Sequence, residues 1–513
     1  MQFVTQLNDE TSANFYQNCQ EQINQIGNQL IFFTNQLAKS PDQIIDQQLT
    51  ASQLTKYQQF IEDIRIGKKY VKSDAVEEVL HLKGQTGRSA FVRLFDETMA
   101  GLEFTFNGKQ LTASEIFDYL QNPDPELRKK AAKSVGKSLK QNIKLLAFIT
   151  NILAKDKAVS EQIRGFEHPL KARNLSNLIE DEIVDLMCQT VKANYRQLSH
   201  RYFALKAKKF GLNKLPYWDR NAPYPKASNL RYSSAEAQSI VVSAYADFSP
   251  EMAAIIQRFF AENWLDVGPK KGKDSGAFAH PATPKAHPFI LLNFQGKLRD
   301  IMTLAHELGH GVHQMLAAKQ GYLLADTPLT LAETASIFGE ELTFEKLLKE
   351  VSDEDKFYLL TAKIEDQLNT IVRQIAFHYF ELNLHQARQK GELSIKEIGQ
   401  IWLKTQQESL GKIIQFDNNY QYFWSYIPHF IHSPFYVYAY AFGNVLVNSL
   451  FNYFKTGNDQ QFREKYLNLL KAGGSARYDQ LLKPFGFNLK EPSFWQNGLD
   501  LIKQQISQAE ALA

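Results

Sequence analysis

Two histidines and a glutamate stand at a spacing that suits metal chemistry. His306, Glu307 and His310 form a His-Glu-x-x-His pattern. Residues four apart on a helix lie one turn above each other, so both imidazoles can reach one Zn2+ ion at about 2.0–2.1 Å. Glu307 points to the side of these two, where its carboxylate can accept a proton from a water molecule. The pattern therefore predicts a zinc ion held by one helix.

The surrounding segment has the hydrophobic pattern of a helix with one buried side. Apolar residues recur at helical spacing, namely Ile301, Leu304, Leu308, Val312 and Met315. At about 100° per residue, His306, His310 and His313 fall within roughly 60° of one another, nearly opposite these apolar residues. One side of the helix is therefore expected to pack into a core while the other presents the imidazoles.

A zinc site that supports chemistry needs a third protein ligand and an open coordination position. The metzincin extension does not supply this ligand, because His313 replaces its glycine and Leu316 replaces its third histidine. A second helix, predicted over residues 327–340, carries Glu333 and Glu340 on one face. Buried carboxylates require a cation, so this face is a candidate for the third ligand. A solvated helix face is the alternative.

The segment HELGHGVH, followed by LAETASIFGE, resembles the oligoendopeptidase F branch of the thimet-oligopeptidase family of zinc peptidases. The resemblance extends from about residue 275 to residue 448. It implies that His306, His310 and Glu333 bind one Zn2+ ion and that Glu307 is the general base.

The resemblance also assigns residues around the metal. Three residues are expected next to the ligands without binding the ion themselves: Glu340, Asp300 and His313. Peptidases of this kind hold the substrate backbone against an edge strand by strand addition. Three residues in the segment that leads to the predicted strand at 287–294 are candidates for substrate binding: Gly276, Ala277 and Phe278.

A stretch rich in histidine and tyrosine follows later in the chain. Phenol and imidazole groups can stabilise the oxyanion that forms during peptide hydrolysis. The resemblance assigns this role to Tyr440, Tyr438 and His429. Ser433, which precedes a proline, predicts the start of a helix in which Tyr436 and Tyr440 share a face that Tyr438 does not. At least one of the tyrosines is therefore expected to belong to an aromatic core.

Composition limits the class of protein. The chain has 513 residues, of which 26 are glycine and 17 proline, and this scarcity favours helix. The net charge of +3 gives no argument for binding nucleic acid or an anionic membrane. Cys19 and Cys188 stand outside any metal-binding spacing, and neither a signal peptide nor a long apolar span is visible. These features predict a cytoplasmic protein with no membrane partner.

The expected fold is mainly α, a large helical body divided by a deep substrate channel. A small β-sheet with an edge strand should lie next to the His-Glu-x-x-His helix. A β-hairpin is predicted near residues 102–112, because Asn107-Gly108 favours a tight turn. We expect residues 1–215 to form an N-terminal helical region that builds a channel wall, and residues 216–513 to form the catalytic region.

Together these expectations point to a zinc-dependent endopeptidase that hydrolyses internal bonds of short peptides. Two alternatives remain open. The first is a zinc carboxypeptidase of similar helical fold, which would remove residues from one end of a peptide. The second is a non-catalytic protein that contains zinc and binds peptides.

Overall fold

The computed structural model describes Thr5 and residues 9–224, 231–274 and 276–513. The α-helices of these residues are α1 (Glu10–Lys39), α2 (Asp42–Leu49), α3 (Gln58–Arg65), α4 (Asp74–Thr86), α5 (Arg88–Ala100), α6 (Ala113–Asp118), α7 (Pro125–Arg164), α8 (Lys171–Ser176), α9 (Asp181–Ala193), α10 (Arg201–Lys209), α11 (Ser234–Phe248), α12 (Pro250–Ala261), α13 (Leu298–Ala317), α14 (Leu329–Ala332), α15 (Thr334–Glu350), α16 (Asp353–Thr370), α17 (Val372–Gln389), α18 (Ile395–Leu410), α19 (His429–His432), α20 (Tyr438–Lys455), α21 (Phe462–Ala472), α22 (Tyr478–Leu482) and α23 (Pro492–Ala511). The predicted mainly α-helical class is confirmed.

Seven short strands accompany the helices: β1 (Phe104–Phe106), β2 (Lys109–Leu111), β3 (Leu215–Pro216), β4 (Leu265–Asp266), β5 (Phe278–His280), β6 (Phe289–Leu291) and β7 (Ile414–Gln415), among the described residues. Strands β1 and β2 pair antiparallel, and Asn107 and Gly108 between them both have positive φ, which confirms the predicted hairpin. Strands β4, β6 and β5 form a sheet in that order, and β5 and β6 contact α13. The predicted small sheet beside the His-Glu-x-x-His helix is therefore confirmed.

The chain folds into two compact units, each built from three separate segments. The first unit comprises Met1–Lys69, Asn229–Val351 and Leu446–Phe494, and the second comprises Tyr70–Ser228, Ser352–Val445 and Trp495–Ala513. This interleaving differs from the predicted division at residues 215 and 216. Contacts between segments far apart in sequence define the units, and a change in composition along the chain does not report such contacts.

An aromatic cluster forms part of the core of the first unit. Phe338 of α15 packs against Phe248, Phe451 and Tyr466 with ring centroids 4.4–5.2 Å apart. The hydroxyl of Tyr466 donates a hydrogen bond to the carbonyl oxygen of Thr334 at 2.7 Å. This bond connects the first residue of α15 to α21.

The second unit contains the longest described helix and a separate aromatic core. Helix α7 has 40 residues, and its first turn is capped by Asp124, whose side chain accepts a hydrogen bond from the N–H of Glu126. Trp402 of α18 packs between Phe377 and Phe380 of α17, with ring centroids 5.6 and 5.3 Å away. These contacts give α17 a rigid support. Among the described residues, no helix combines the length and the apolar content needed to cross a membrane.

Candidate metal centre and active site

Helix α13 presents the two histidines as its sequence pattern predicts. Ile301, Leu304, Leu308 and Val312 are buried, whereas His306 and His310 are each partly accessible. The Nε2 atoms of His306 and His310 lie 3.1 Å apart. One turn of helix therefore brings both imidazoles to the same point above the core.

Glycine at position 309 lets a second helix approach this turn closely. A Cβ atom at Gly309 would lie 2.5 Å from the carbonyl oxygen of Ala335 and 2.6 Å from the Cα of Ser336. These are backbone atoms of α15, which cannot move aside as a flexible side chain would. The missing side chain thus sets the distance between α13 and α15, and with it the position of the acidic residues near α15.

Glu333 lies between two helices, which corrects the prediction of one continuous helix over residues 327–340. Helix α14 ends at Ala332, Glu333 has φ −84° and ψ 3°, and α15 begins at Thr334. At this break the hydroxyl of Thr334 donates a hydrogen bond to the carbonyl oxygen of Leu331 at 2.7 Å, and local bonds of this kind compete with those of a helix. The break turns the Glu333 side chain toward the two histidines.

Three side-chain atoms converge at this point. Oε2 of Glu333 lies 3.4 Å from Nε2 of His306 and 3.5 Å from Nε2 of His310. The three residues form the group that could hold a metal ion among the described residues. Ligands that bind Zn2+ at about 2.0–2.1 Å with tetrahedral angles stand about 3.3–3.4 Å apart. The spacing of these three atoms therefore fits a zinc ion that keeps one coordination position free.

Two further side chains orient the ligands. Nδ1 of His306 donates a hydrogen bond to Oε1 of Glu340 at 2.6 Å, so Nε2 is the nitrogen that can bind a metal once it has lost its proton. The hydroxyl of Ser336 donates to Oε2 of Glu333 at 2.6 Å. Sequence reasoning anticipated Glu340 through the resemblance but missed Ser336. The position of Ser336 three residues after Glu333 is the signal that could have found it.

Burial and the neighbouring acids shift the pKa values of the two histidines. Burial disfavours the protonated form of His306, but the hydrogen bond to Glu340 and the charges of Glu340 and Glu333 outweigh it and raise the pKa of His306 to about 9. Burial lowers the pKa of His310 to about 4, although the charge of Glu333 acts in the opposite direction. The raised pKa of His306 shows that the neighbouring carboxylates favour a positive charge at this point.

Glu307 is buried and lies against the edge of the sheet. The backbone N–H of Ala279 in β5 donates a hydrogen bond to its carboxylate, and its Oε2 has no hydrogen-bond partner among the described residues. Burial, assisted by the charges of Glu333 and Glu340, raises the pKa of Glu307 to about 7 against the attraction of His306. A carboxylate with a pKa close to neutrality is well suited to take up and release a proton.

Asp300 caps the beginning of α13, and His313 contacts a residue of the loop before α14. Oδ2 of Asp300 accepts hydrogen bonds from the N–H groups of Gln295 and Lys297 at 2.8 and 2.9 Å, which caps the first turn of α13. His313 is buried, and its Nε2 lies 3.3 Å from the hydroxyl of Thr327. Burial lowers the pKa of His313 to about 4. Neither residue belongs to the group of three ligands.

The residues predicted to bind substrate lie at the outer strand of the sheet. Phe278 begins β5, which pairs antiparallel with β6. The carbonyl oxygen of Gly276 accepts a hydrogen bond from the side-chain amide of Asn293 at 2.9 Å, which ties the segment before β5, including Ala277, to the sheet. Strand β5 is the outer strand of this sheet, and a peptide can add to an outer strand through backbone groups that do not pair within the sheet.

A cavity of about 540 Å³ lies on one side of His310. Apolar side chains of Met315 and Ala318 line it, together with Tyr322 and the carboxylate of Asp326. This volume is large enough for a side chain of a bound peptide. The cavity therefore offers a pocket next to the candidate metal centre, within the first unit.

The second unit brings together part of the predicted histidine and tyrosine group. Nε2 of His429 lies 3.1 Å from the hydroxyl oxygen of Tyr440, and the rings of Tyr436 and Tyr440 lie 5.1 Å apart. Tyr440 is 37% exposed, so its hydroxyl can meet a ligand. Tyr436, which sequence reasoning left unassigned, belongs to this group by contact.

Tyr438 does not belong to the group, which corrects its prediction as a catalytic residue. It is fully buried, and its hydroxyl donates to Oδ1 of Asn174 at 2.7 Å and accepts from Nδ2 of Asn177 at 2.8 Å. The helix predicted to start at Ser433 also differs, because α20 begins at Tyr438. A turn at Phe435 with φ +60° interrupts the segment between α19 and α20.

Comparisons with known proteins give one consistent result. The sequence matches the family model of peptidase family M3 over residues 118–501 and the model named Oligopeptidase F over residues 36–104. It is 28% identical over 471 residues to group B oligopeptidase PepB of Streptococcus agalactiae, covering 90% of this chain and 77% of that protein. It is 27% identical over 474 residues to oligopeptidase PepF of Bacillus subtilis, covering 90% of this chain and 70% of that protein.

Solved structures share the fold. A Chlamydophila abortus crystal structure, described as that of a peptidase, superposes with a TM-score of 0.90 at 24% identity, covering 99% of this chain and 86% of that one. Oligoendopeptidase-F from Enterococcus faecium superposes with a TM-score of 0.73 at 22% identity, covering 93% of this chain and 81% of that one. At these identities the superpositions establish the fold and nothing further.

Proposed function

Since this chain belongs to peptidase family M3, we propose that it is a zinc-dependent oligopeptidase that hydrolyses internal bonds of short peptides. The membership agrees with the resemblance of the HELGHGVH and LAETASIFGE segments. The relatives named oligopeptidase and oligoendopeptidase F support short peptides as the substrate class.

One observation carries the proposal, namely the triangle of ligand atoms from His306, His310 and Glu333. Its sides of 3.1, 3.4 and 3.5 Å match the edges of a zinc coordination tetrahedron. A bound zinc ion would polarise the scissile carbonyl and lower the pKa of a water molecule. Three protein ligands leave room for that chemistry, whereas a purely structural zinc site is closed by four.

Glu307 is the proposed general base. It takes a proton from the attacking water and later delivers that proton to the leaving amine. A pKa raised to about 7 by burial supports both steps, because the carboxylate is neither too weak a base nor too weak an acid near neutrality. The N–H of Ala279 holds the carboxylate in place while its second oxygen is free to receive the proton.

Strand β5 is the proposed binding surface for the peptide backbone. Phe278 begins this strand, and Gly276 and Ala277 precede it; the substrate would pair with this edge by strand addition. The cavity beside His310 would accept a substrate side chain. Binding of the backbone gives affinity for many sequences, and the cavity adds a preference among them.

His429 and Tyr440 are the proposed oxyanion donors. Their mutual contact at 3.1 Å orients the phenol, and the exposure of Tyr440 supports a role toward substrate. Donors of this kind stabilise negative charge that develops in the transition state more than they stabilise the ground state.

We propose a cytoplasmic location for the protein, since Cys19 and Cys188 are both free thiols.

A Glu307→Gln variant tests the proposal. The amide keeps the shape of the side chain but cannot take up a proton, so kcat should fall by about 10²–10⁴-fold while the zinc content stays at one per chain. Peptide hydrolysis is followed by mass spectrometry, and zinc by atomic emission. Glu350→Gln, at the exposed end of α15, is the control and should match wild type.

The same assay separates the proposed activity from the alternatives. A peptide blocked at both ends should be cut at an internal bond, whereas a strict carboxypeptidase would leave it intact. If Glu307→Gln retains wild-type turnover, the assignment of the base is wrong. If purified wild-type protein with one zinc ion cuts no peptide, the oligopeptidase proposal itself fails.

A further inference from the structure

The loop between α19 and α20 contains a backbone conformation that side chains disfavour. Phe435 has φ +60°, in the left-handed region that suits glycine, and its ring is completely buried. The next residue is Tyr436, and the loop continues into the helix that carries Tyr440. A residue with a Cβ atom keeps this conformation only when its surroundings hold it there.

A buried acid holds this turn. Oε1 of Glu381, on α17, accepts a hydrogen bond from the N–H of Phe435 at 2.9 Å. Glu381 is 2% exposed, and its Oε2 has no hydrogen-bond partner among the described residues. Burying a carboxyl group at such a place is costly, and a leucine would pack there without that cost. The contact with the backbone of Phe435 is the interaction that the acid supplies and an apolar residue could not.

The neighbouring cations do not pair directly with Glu381. Nζ of Lys157 donates to the carbonyl oxygen of Pro169 at 2.7 Å and also to the carboxylate of Glu161. Nε of Arg173 donates to the carbonyl oxygen of Pro434 at 3.3 Å. Glu381 is therefore a hydrogen-bonding residue of the loop rather than one half of an ion pair.

Arg173 and Glu381 hold consecutive residues of the loop from two different helices. Arg173 on α8 binds the carbonyl of Pro434, and its guanidinium lies 5.6 Å from the ring centre of Tyr436. Glu381 on α17 binds the N–H of Phe435. Helix α17 is itself held by the packing of Trp402 in the aromatic core of the second unit. The loop before Tyr436 is therefore connected to that core through Glu381.

We propose that Glu381 is a positioning residue: it holds the left-handed turn at Phe435 and thereby sets Tyr436 and Tyr440 beside His429. The inference rests on the proposed function, in which Tyr440 and His429 stabilise the oxyanion. Glu381 itself touches no substrate. Its effect on the reaction therefore passes through the Tyr440 hydroxyl.

Three substitutions separate the hydrogen bond from charge and packing. Glu381→Gln keeps an oxygen that can accept from the N–H of Phe435, so kcat should stay within about threefold of wild type. Glu381→Leu removes the acceptor at similar volume, so kcat should fall at least about tenfold with little change in KM. Glu381→Asp keeps the carboxyl group but draws its oxygen back by one methylene group, so kcat should fall in the same direction.

A double-mutant cycle distinguishes positioning from general destabilisation. In a Tyr440→Phe background, Glu381→Leu should lower kcat by less than about threefold, because the group through which it acts is already missing. Additive losses would overturn the proposal, as would wild-type kcat in Glu381→Leu. If Glu381→Leu does not fold, the comparison of Glu381→Asp with Glu381→Gln decides, and equal kcat values for these two would contradict the proposal.

The outcomes also separate this inference from the proposed function. A wild-type protein that cuts no peptide overturns both. An active wild type whose Glu381→Leu variant gives additive losses overturns the positioning role alone and leaves the oligopeptidase assignment intact. Unfolding temperatures of all variants, measured by circular dichroism, establish that each protein compared is folded.

Discussion

Nδ1 of His306 lies 2.6 Å from Oε1 of Glu340, a carboxylate 34 residues further along the chain. This contact fixes the tautomer of His306, since the proton on Nδ1 leaves Nε2 as the nitrogen that can bind a metal. It also places a negative charge directly behind one metal ligand. We therefore expect Glu340 to increase the affinity for a metal without being a ligand itself.

Replacing Glu340 by glutamine should weaken zinc binding. The amide can still accept a hydrogen bond, but it lacks the charge that increases the basicity of His306, so the zinc Kd should rise about 10–100-fold. Competition with a chromogenic chelator measures this Kd. Glu350→Gln, on the same helix but exposed, is the control. An unchanged Kd in Glu340→Gln would contradict the role given to this carboxylate.

Replacing Gly309 by alanine should force α13 and α15 apart. The new methyl group would meet backbone atoms at 2.5 and 2.6 Å, and overpacking of this kind costs about 1–3 kcal/mol of unfolding free energy. Urea unfolding measures the loss. The control is Gly84→Ala in α4, where no atom lies within 4 Å and a gain of about 0.5–1 kcal/mol is expected. Equal stabilities for both variants would contradict the close approach.

The parts of the site that could be predicted from the sequence are those set by one helix. The positions of His306, Glu307 and His310 follow from the pitch of α13, and the apolar residues between them show which side is buried. The hairpin around Asn107 and Gly108 is equally local, because its turn depends on two residues with positive φ.

The parts that could not be predicted depend on residues distant in sequence. Glu333 lies at the break between α14 and α15, and the carbonyl of the next residue, Thr334, accepts a hydrogen bond from Tyr466, 132 residues further along the chain. The burial of Tyr438 depends on Asn174, 264 residues away. Neither Glu333 nor Tyr438 is flanked by a glycine or proline that would signal such an environment. The interleaving of the two units likewise depends on contacts between residues that are distant in sequence.

Tyr440 and Tyr438 should respond to the same substitution in opposite ways. Tyr440→Phe removes an exposed hydroxyl, so kcat should fall at least tenfold while the unfolding free energy changes by less than about 0.5 kcal/mol. Tyr438→Phe removes hydrogen bonds to two buried asparagines, so the protein should lose about 1–3 kcal/mol of stability and keep its kcat. Peptide hydrolysis gives kcat and urea unfolding gives the stability of both variants. A loss of kcat in Tyr438→Phe without a loss of stability would contradict a purely structural role for Tyr438.

Glu381 should make stability depend on pH in a defined window. Burial raises its pKa to about 8 in the folded protein, against the opposing effects of the Phe435 N–H and the charges of Lys157 and Arg173. In the unfolded chain a glutamate releases its proton near pH 4.3. Between these values the folded state binds more protons than the unfolded state, so stability falls as the pH rises. Above pH 8 the loss is complete, and below pH 4 it is absent.

Urea unfolding of wild type and Glu381→Gln at pH 5, 6, 7 and 8 tests this linkage. The glutamine is neutral throughout, so wild type should lose on the order of 1 kcal/mol per pH unit relative to the variant. Burial lowers the pKa of His378 to about 4 and of His385 to about 3, which stabilises both proteins as the pH rises to about 6.5. Because both proteins contain these histidines, the effect cancels in the difference. A difference that stays constant from pH 5 to pH 8 would contradict a protonated Glu381 in the folded protein.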